Sequence, residues 1–482
     1  MKAPLLEELL KYHNEKNLIL SMPGNKCGRG FEGDELGIEF MNRMGRLDIT
    51  EVDPLDNLHC PEGIIDKAQK LLAETYKSKK AYFLVNGSSG GNLSAVFACF
   101  NEGDEVIIER NCHKSIYNAA ILRKLKIVYI EPIIDNKNGI FLPPDRENIY
   151  EALKKSTNPK GIILTYPNYF GITYDIEEII EDFKSRGIKV ILDCAHGAHF
   201  GMSNRLPKSM SSIGDYVVLS AHKTIPALTQ GSYMAVNDDN PEFEFYLRVF
   251  MSTSPSYLIM ASLDYARYYM DTYGEEHYER LIDDAERWKE KINHIGKVKI
   301  LSQSDIEEYG TYDIDKSRYL IVLPKGYSGH KLLDYFREKK IQSEMSFSRG
   351  VVLILSPFND EDDLKHIYSS ILELDIEELK CKEDSPYYSS IPKKVLEPYE
   401  AYKMPYEMID LNKCIGRISK EFIIPYPPGI PILCPGEIIN EEALEIINDY
   451  INNKKDILGI EKDSNMLKVI KNNKNIQKCF KN

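Results

Sequence analysis

The chain has 482 residues, 43% of them hydrophobic and 28% charged, and a net charge of −13. That length allows about three structural units around large cores, and the acidic balance argues against the basic face that nucleic-acid binding needs. Nine cysteines, at 27, 60, 99, 112, 194, 381, 414, 434 and 479, form no CxxC pair, so neither a disulfide framework nor a zinc ribbon is expected.

The opening MKAPLLEELLKYHNEKN sets apolar residues at helical spacing among many charges, without the continuous apolar core of a signal peptide. No window reaches the apolar length that spans a membrane, so a cytoplasmic protein without membrane partners is expected. NLILSMPGNKCGRGF then reads as a Pro/Gly-rich loop that wraps over other structure. From about residue 66 to 235 short apolar runs alternate with helical patterns. The strand candidates are KAYFLVNG (80–87), DEVIIER (104–110), KIVYIEP (126–132), KGIILTYP (160–167), KVILDCA (189–195) and YVVLSAH (216–222). Between them, segments such as NLSAVFACFN and DIEEIIEDFKSRG carry apolar residues at i, i+3 and i+4. Continuous apolar strands alternating with helices predict an α/β unit, its mainly parallel sheet covered on both faces.

Two long helical segments follow, SYLIMASLDYARYYMDTYG and YERLIDDAERWKEKINHIG. A smaller α+β unit comes next, reading β-α-β-β-α through YLIVLPK, HKLLDYFREKK, IQSEMSF, GVVLILS and DEDDLKHIYSSILEL. KCKEDSPYYSSIPKK (380–394) reads as a linker, and the last unit holds the extended, Pro-rich GRISKEFIIPYPPGIPILCPGE and then a helix. The expected units are 1–65, 66–270, 271–380 and 381–482.

In open parallel sheets ligands bind outside the carboxyl ends of the strands. Four polar features sit at such ends. NGSSGGN (86–92) links a strand to a helix expected to begin near Asn92. Its backbone N–H groups and the Ser88 and Ser89 hydroxyls suit an anion at a helix N-terminus, while the plain alternative is a flexible turn. RNCHKS (110–115) places His113 at the next strand mouth, where a lone histidine is more often structural than catalytic. LDCAHGAHFG ends a strand at Asp193, a carboxylate that needs a partner if buried. His196 and His199 behind it complete no recognisable zinc set, so no metal is expected. Last comes Lys223, in YVVLSAHKT, one strand after Asp193. An anion cradle, an aromatic-capable histidine, a buried acid and a lysine on one edge all serve one cofactor. Pyridoxal phosphate needs a lysine for its Schiff base, an acid for its ring nitrogen and a nest for its phosphate.

These residues resemble the Orn/Lys/Arg decarboxylases, and most closely the compact bacterial arginine/lysine decarboxylases without a wing domain. PGNKCG, ITEVDPLDNLHCPEG, FLVNGSSGGN, RNCHKS, DCAHGAHFG, SAHKT, TSPSY with ASLD, and YPPGIP with PGE occur in the family's order over nearly the whole chain. The resemblance implies the aspartate-aminotransferase-like fold type I, with 66–270 as the large cofactor-binding domain. It implies Lys223 as the Schiff-base lysine, Asp193 on the pyridine nitrogen, and His113 and Ala195 on opposite ring faces. It further implies Ser88, Ser89, Ser220 and His222 as phosphate ligands, with His196 close to the cofactor. A homodimer or larger homo-oligomer with active sites at the subunit interface is implied as well.

Two departures stand out. Where the family usually has Pro-Gly-His-Lys this chain has Pro23-Gly24-Asn25-Lys26, and where it has Asp-Glu-Ala-His this chain has Asp193-Cys194-Ala195-His196. The implied activity is decarboxylation of a basic amino acid, arginine favoured on family likeness over lysine or ornithine, feeding polyamine synthesis. His222 and Lys223 are the candidates for moving the proton to the α-carbon. Glu437 is the candidate reader of the substrate's distal cation, a surface carboxylate being its plain alternative. An aminotransferase shares fold and cofactor, and would hold the α-carboxylate with Arg318, Arg337 or Arg349, whose plain reading is a solvent or salt-bridge arginine. A catalytically silent regulatory homologue is a third reading, raised by Asn25.

Overall fold

A computed structural model describes residues 2–310, 312–381, 391–425, 430–461 and 465–471. Most of the expected linker (382–390) and the YPPG of YPPGIP (426–429) lie outside the described residues.

The central sheet has seven strands: β1 (Lys80–Leu84), β2 (Glu105–Glu109), β3 (Lys126–Ile130), β4 (Pro159–Thr165), β5 (Lys189–Asp193), β6 (Tyr216–Leu219) and β7 (Ser232–Val236). Their order is β1-β7-β6-β5-β4-β2-β3. β6, β5, β4, β2 and β3 pair in parallel, while β7 runs antiparallel to both β6 and β1. Burial follows the period of two: Ile107, Ile162, Leu164, Val190, Leu192 and Val217 point into one core. Val106, Ile108, Ile163, Ile191, Tyr216 and Val218 point into another on the opposite face. A sheet covered on both faces needs such unbroken apolar runs, which is why six strands read clearly from sequence. The seventh, SYMAV, is a five-residue run led by a serine. Its place between β1 and β6 is set by long-range pairing alone.

The helix behind β1 begins at Gly87 rather than near Asn92 and runs to Cys99, so Ser88 and Ser89 lie in its first turn. A Cβ on Gly91 would come within 2.6 Å of Leu84 Cδ1, so a larger residue there would have to push that buried side chain aside. The two expected long helices are one 39-residue helix, Tyr257–Ile295. Gly274 and its neighbours look like a break, because an interior glycine costs about 1 kcal/mol against alanine. Burial of Met270, Tyr278, Leu281 and Ile282 on either side carries the helix through, and it runs unbroken past residue 270.

The smaller unit is an antiparallel sheet of β8 (Lys299–Ile300), β9 (Arg318–Val322), β10 (Met345–Phe347) and β11 (Gly350–Ile354), ordered β8-β9-β11-β10. Helices Gly329–Glu338 and Glu361–Glu373 accompany it. Leu18–Leu20 pairs in parallel with Ile341–Ser343, which ties the N-terminal loop to this unit. The C-terminal unit pairs Tyr406–Asp410 with Met466–Ile470 and adds helix Glu441–Asn452.

Candidate active site

The carboxyl ends of β5 and β6, the start of helix Gly87–Cys99 and the turn after β2 meet at one edge of the sheet. β6 ends at Leu219, and Ser220 leads into a single helical turn, Ala221–Thr224, that carries Lys223. The N-terminal loop closes over this turn: Gly24 N–H donates to His222 O at 2.7 Å. A Cβ on Gly24 would lie 2.6 Å from Ile225 N, so only glycine permits the approach. Asn25 donates from Nδ2 to Ala227 O at 2.9 Å and accepts from Gly28 N at 3.1 Å. Both ends of its amide thus hold the loop, a structural duty at the position where the family usually has histidine.

Asp193 is buried, with both oxygens held by neutral donors: Asn92 Nδ2 at 3.0 Å and Ala195 N at 3.1 Å. Asn92 Nδ2 also donates to Ser115 Oγ at 2.9 Å, and the Ser115 hydroxyl donates to His113 Nδ1 at 2.8 Å. His113 caps helix Lys114–Arg123, its Nδ1 accepting from Ser115 N at 3.2 Å. An Nδ1 that only accepts leaves the proton of the neutral ring on Nε2. Burial pushes the His113 pKa down to about 4 against the pull of Asp193, so the ring is neutral at physiological pH. Asn92 and Ser115 are site residues that motif reading missed. Each lies inside a quoted motif, but only folding joins the two motifs.

Ser88 Oγ bonds Ser220 Oγ closely and Ser232 Oγ at 3.1 Å, so three hydroxyls from three elements cluster at the helix start. Ser232, from the unanticipated strand β7, joins the expected pair, whereas Ser89 is exposed. His222 Nδ1 lies 2.9 Å from Gly231 O and must donate to it, which leaves Nε2 as the acceptor of a neutral ring. Burial lowers its pKa to about 4.

Lys223 Nζ sits 3.0 Å from His196 Nε2 and 5.9 Å from the Tyr169 ring centroid. Burial lowers its pKa to about 8, against the raising influence of Asp193 and Glu344. His196 packs against Tyr169 with ring centroids 4.7 Å apart. Ala195 is buried next to it. Cys194 is buried too, and desolvation pushes its thiol pKa well up, so it adds no charge beside Asp193. His199 points away, to Asp315 at 3.1 Å. Among the described residues no three His, Cys, Asp or Glu side chains converge as a metal set.

The remaining candidates separate. Arg318 is wholly buried, ion-paired with Asp315 at 3.1 Å and set against His196, so it is a salt-bridge arginine and not a solvent one. Arg337 is exposed beside Asp334, and Arg349 donates to the carbonyls of Lys137 and Leu323. Glu437 is fully buried in a two-pronged ion pair, its oxygens accepting from Arg110 Nε and Nη2 at 2.7 Å each. It is therefore neither a surface carboxylate nor open to a substrate cation.

The Orn/Lys/Arg decarboxylase major domain matches residues 3–317, and that family's C-terminal domain matches residues 382–459. The chain belongs to the Orn/Lys/Arg decarboxylase family. It is an amino-acid decarboxylase. It is 31% identical to the arginine decarboxylase of Bacillus subtilis (strain 168) over 99% of each chain. It is also 31% identical to the arginine decarboxylase of Halalkalibacterium halodurans, again over 99% of each. Among solved structures the Escherichia coli constitutive lysine decarboxylase superposes with a TM-score of 0.75 at 19% identity, over 97% of this chain and 82% of that one. A ureidoglycine-glyoxylate aminotransferase from Bacillus subtilis reaches 0.57 at 14% identity, over 74% of this chain and 92% of that one. The fold is fold type I, as expected. Aminotransferases share it, so the family match and not the fold settles the reaction class.

Proposed function

We propose that this decarboxylase acts on arginine, releasing agmatine for polyamine synthesis, with pyridoxal phosphate as its cofactor. The observation that carries the cofactor is the company kept by Lys223. Its buried amine, the buried Asp193 held only by neutral donors, and the Ser88–Ser220–Ser232 hydroxyl cluster at a helix start share one sheet edge. This donor set fits the group. Lys223 would carry it, Asp193 would hold the proton on the pyridine nitrogen, His113 and Ala195 would flank the ring, and the three serines would take the phosphate. His222 would join them once a phosphate dianion draws a proton onto Nε2, and His196 would border the cofactor. When bound, pyridoxal phosphate supplies the electron sink for the bond that breaks at the substrate's α-carbon.

The chain's own residues do the rest. Lys223, with its pKa near 8, passes readily between amine and ammonium at physiological pH, as a nucleophile and proton donor must. His222, with its pKa near 4 and Nδ1–H spent on Gly231 O, is the poorer donor, so Lys223 is assigned the proton that reaches the α-carbon. The buried Asn92–Ser115 bridge fixes Asp193 and His113 relative to each other before any ligand arrives.

Arginine is favoured because the arginine decarboxylases are 31% identical over nearly the full length, against 22% for the Escherichia coli lysine enzyme. A homodimer is supported by helix Pro4–Asn14, which buries none of its residues and exposes Leu5, Leu6, Leu9 and Leu10 along one face. A cytoplasmic setting accords with the absence, among the described residues, of a helix long and apolar enough to cross a membrane. The deciding assay supplies arginine, lysine and ornithine separately with pyridoxal phosphate. It measures carbon dioxide together with agmatine, cadaverine and putrescine. Agmatine in clear excess supports the reading, and cadaverine or putrescine as the main product sinks the arginine assignment.

A further inference from the structure

We propose that Arg318 is a positioning residue that, acting through His196, shifts the Lys223 ε-amine toward its unprotonated form; this rests on the reading of Lys223 as the amine that carries the cofactor. Arg318 opens β9 in the small unit, 95 residues beyond Lys223, and its side chain is wholly buried. Its Nε donates to Asp315 Oδ2 at 3.1 Å and Nη1 to Tyr169 O at 3.0 Å. Nη2 lies 3.1 Å from both His196 Nδ1 and His196 O.

A guanidinium has no acceptor and does not give up its proton. His196 Nδ1 facing it must therefore accept, and the single proton of the neutral imidazole is forced onto Nε2. That Nε2–H points at Lys223 Nζ from 3.0 Å. An ammonium at Nζ would set donor against donor, whereas an amine accepts through its lone pair. One proton arrangement satisfies all three groups, and in it Lys223 is the free base. His196 is held well below the ordinary histidine range by burial, then by Lys223 and Arg318. Burial lowers Lys223 most, Asp193 and Glu344 oppose it, and Arg318 adds a smaller push downward.

The network is anchored from behind. Asp315 is fully buried, accepts from the Ser317 hydroxyl at 2.6 Å, and pairs with His199 Nε2 at 3.1 Å as well as with Arg318. Its partners hold it ionised despite burial, with a pKa well below the ordinary carboxylate range. Docking of the small unit therefore fixes the tautomer of a histidine in the large unit, and through it the protonation of the lysine.

The test reads Lys223 itself rather than turnover. Full-length protein freed of cofactor is labelled with trace acetic anhydride from neutral to alkaline pH, and acetylation of the Lys223 peptide is followed by mass spectrometry. His196→Phe leaves Arg318 its bonds to Asp315, Tyr169 O and the residue-196 carbonyl. Arg318→Met removes the donor. Each is expected to raise the Lys223 midpoint by about one pH unit, roughly a tenfold loss of labelling rate at neutral pH. The double variant should shift it no further than the larger single, because both break one relay. Arg337→Met, outside the network, should leave the midpoint where it was. A folded His196→Phe protein with an unmoved midpoint overturns the proposal, and so do additive shifts in the double variant; His196→Phe alone decides if Arg318→Met does not fold. Failure of the proposed function is separable, since it would show as no amine product while the midpoint shifts persist.

Discussion

Replacing Glu437 with glutamine tests what binds the C-terminal unit to the major domain. Glu437 accepts from Arg110 Nε and Nη2 and from Cys434 N, all at 2.7 Å, and neither charged side chain reaches solvent to a useful degree. Glutamine is nearly isosteric, but one of its terminal atoms is a donor and faces another donor, and Arg110 is left as a buried cation. Its remaining bonds, to Pro431 O at 3.0 Å and Ile432 O at 3.2 Å, supply partial charges only. Removing one partner of a buried pair costs about 3–5 kcal/mol. At about 1.4 kcal/mol per factor of ten, local opening should become a hundredfold to several thousandfold more populated. Hydrogen exchange reads this directly at the amides of Ile432, Ile438 and Ile439, which donate to Ile423 O, Lys393 O and Arg417 O. Their protection should fall by that factor, while strands β4 and β5 keep theirs. An apolar pair of similar bulk, Arg110→Met with Glu437→Leu, should restore most of it, because no charge is then stranded. Loss of less than tenfold in Glu437→Gln, or a double variant no better than the single, would refute the argument. A raised KM for arginine with protection intact would return Glu437 to a role in substrate reading.

Asn92→Leu should weaken pyridoxal phosphate binding by about tenfold, the worth of a hydrogen bond to a charged group, and an absorbance titration with the cofactor measures it. Glu109, buried behind the site and bonded to Tyr174 OH at 2.7 Å, has its pKa raised by burial from the ordinary 4.5 to about 7. Within that window the folded state binds the proton that the unfolded state has lost, so stability is greatest below the window and falls as pH rises through it. Glu109→Gln should flatten this fall in melting temperature, and an unchanged profile would contradict the assignment. Leu6→Asp with Leu10→Asp should reduce the apparent mass in light scattering if the exposed helix Pro4–Asn14 packs on a second copy; an unaltered mass removes that helix from the interface.

The apolar runs that became β1 to β6, and the polar residues at their ends, were legible because both are local. A strand buried on both faces must be apolar throughout, and the residues just past it must turn toward whatever the sheet edge binds. Lys223, Asp193, His113 and the Ser88 turn could therefore be placed on one edge from the sequence, and the motif order named the family. The partners could not be placed that way. Arg110 meets Glu437 across 327 residues, Arg318 meets His196 across 122, and Ser232 reaches Ser88 across 144. Nothing in an arginine's neighbours along the chain distinguishes buried Arg318 from exposed Arg337. The difference arises when β9 docks beside Tyr169 and Asp315. Asn25 likewise looked like a lost catalytic group until its amide was found spent on Ala227 O and Gly28 N. Sequence by itself determined which chemistry stands at the sheet edge, since burial period and strand-end polarity are written residue by residue. Tertiary structure alone decided which distant donors and charges face that chemistry, because hydrogen-bond direction and desolvation depend on packing between units that the chain brings together only by folding.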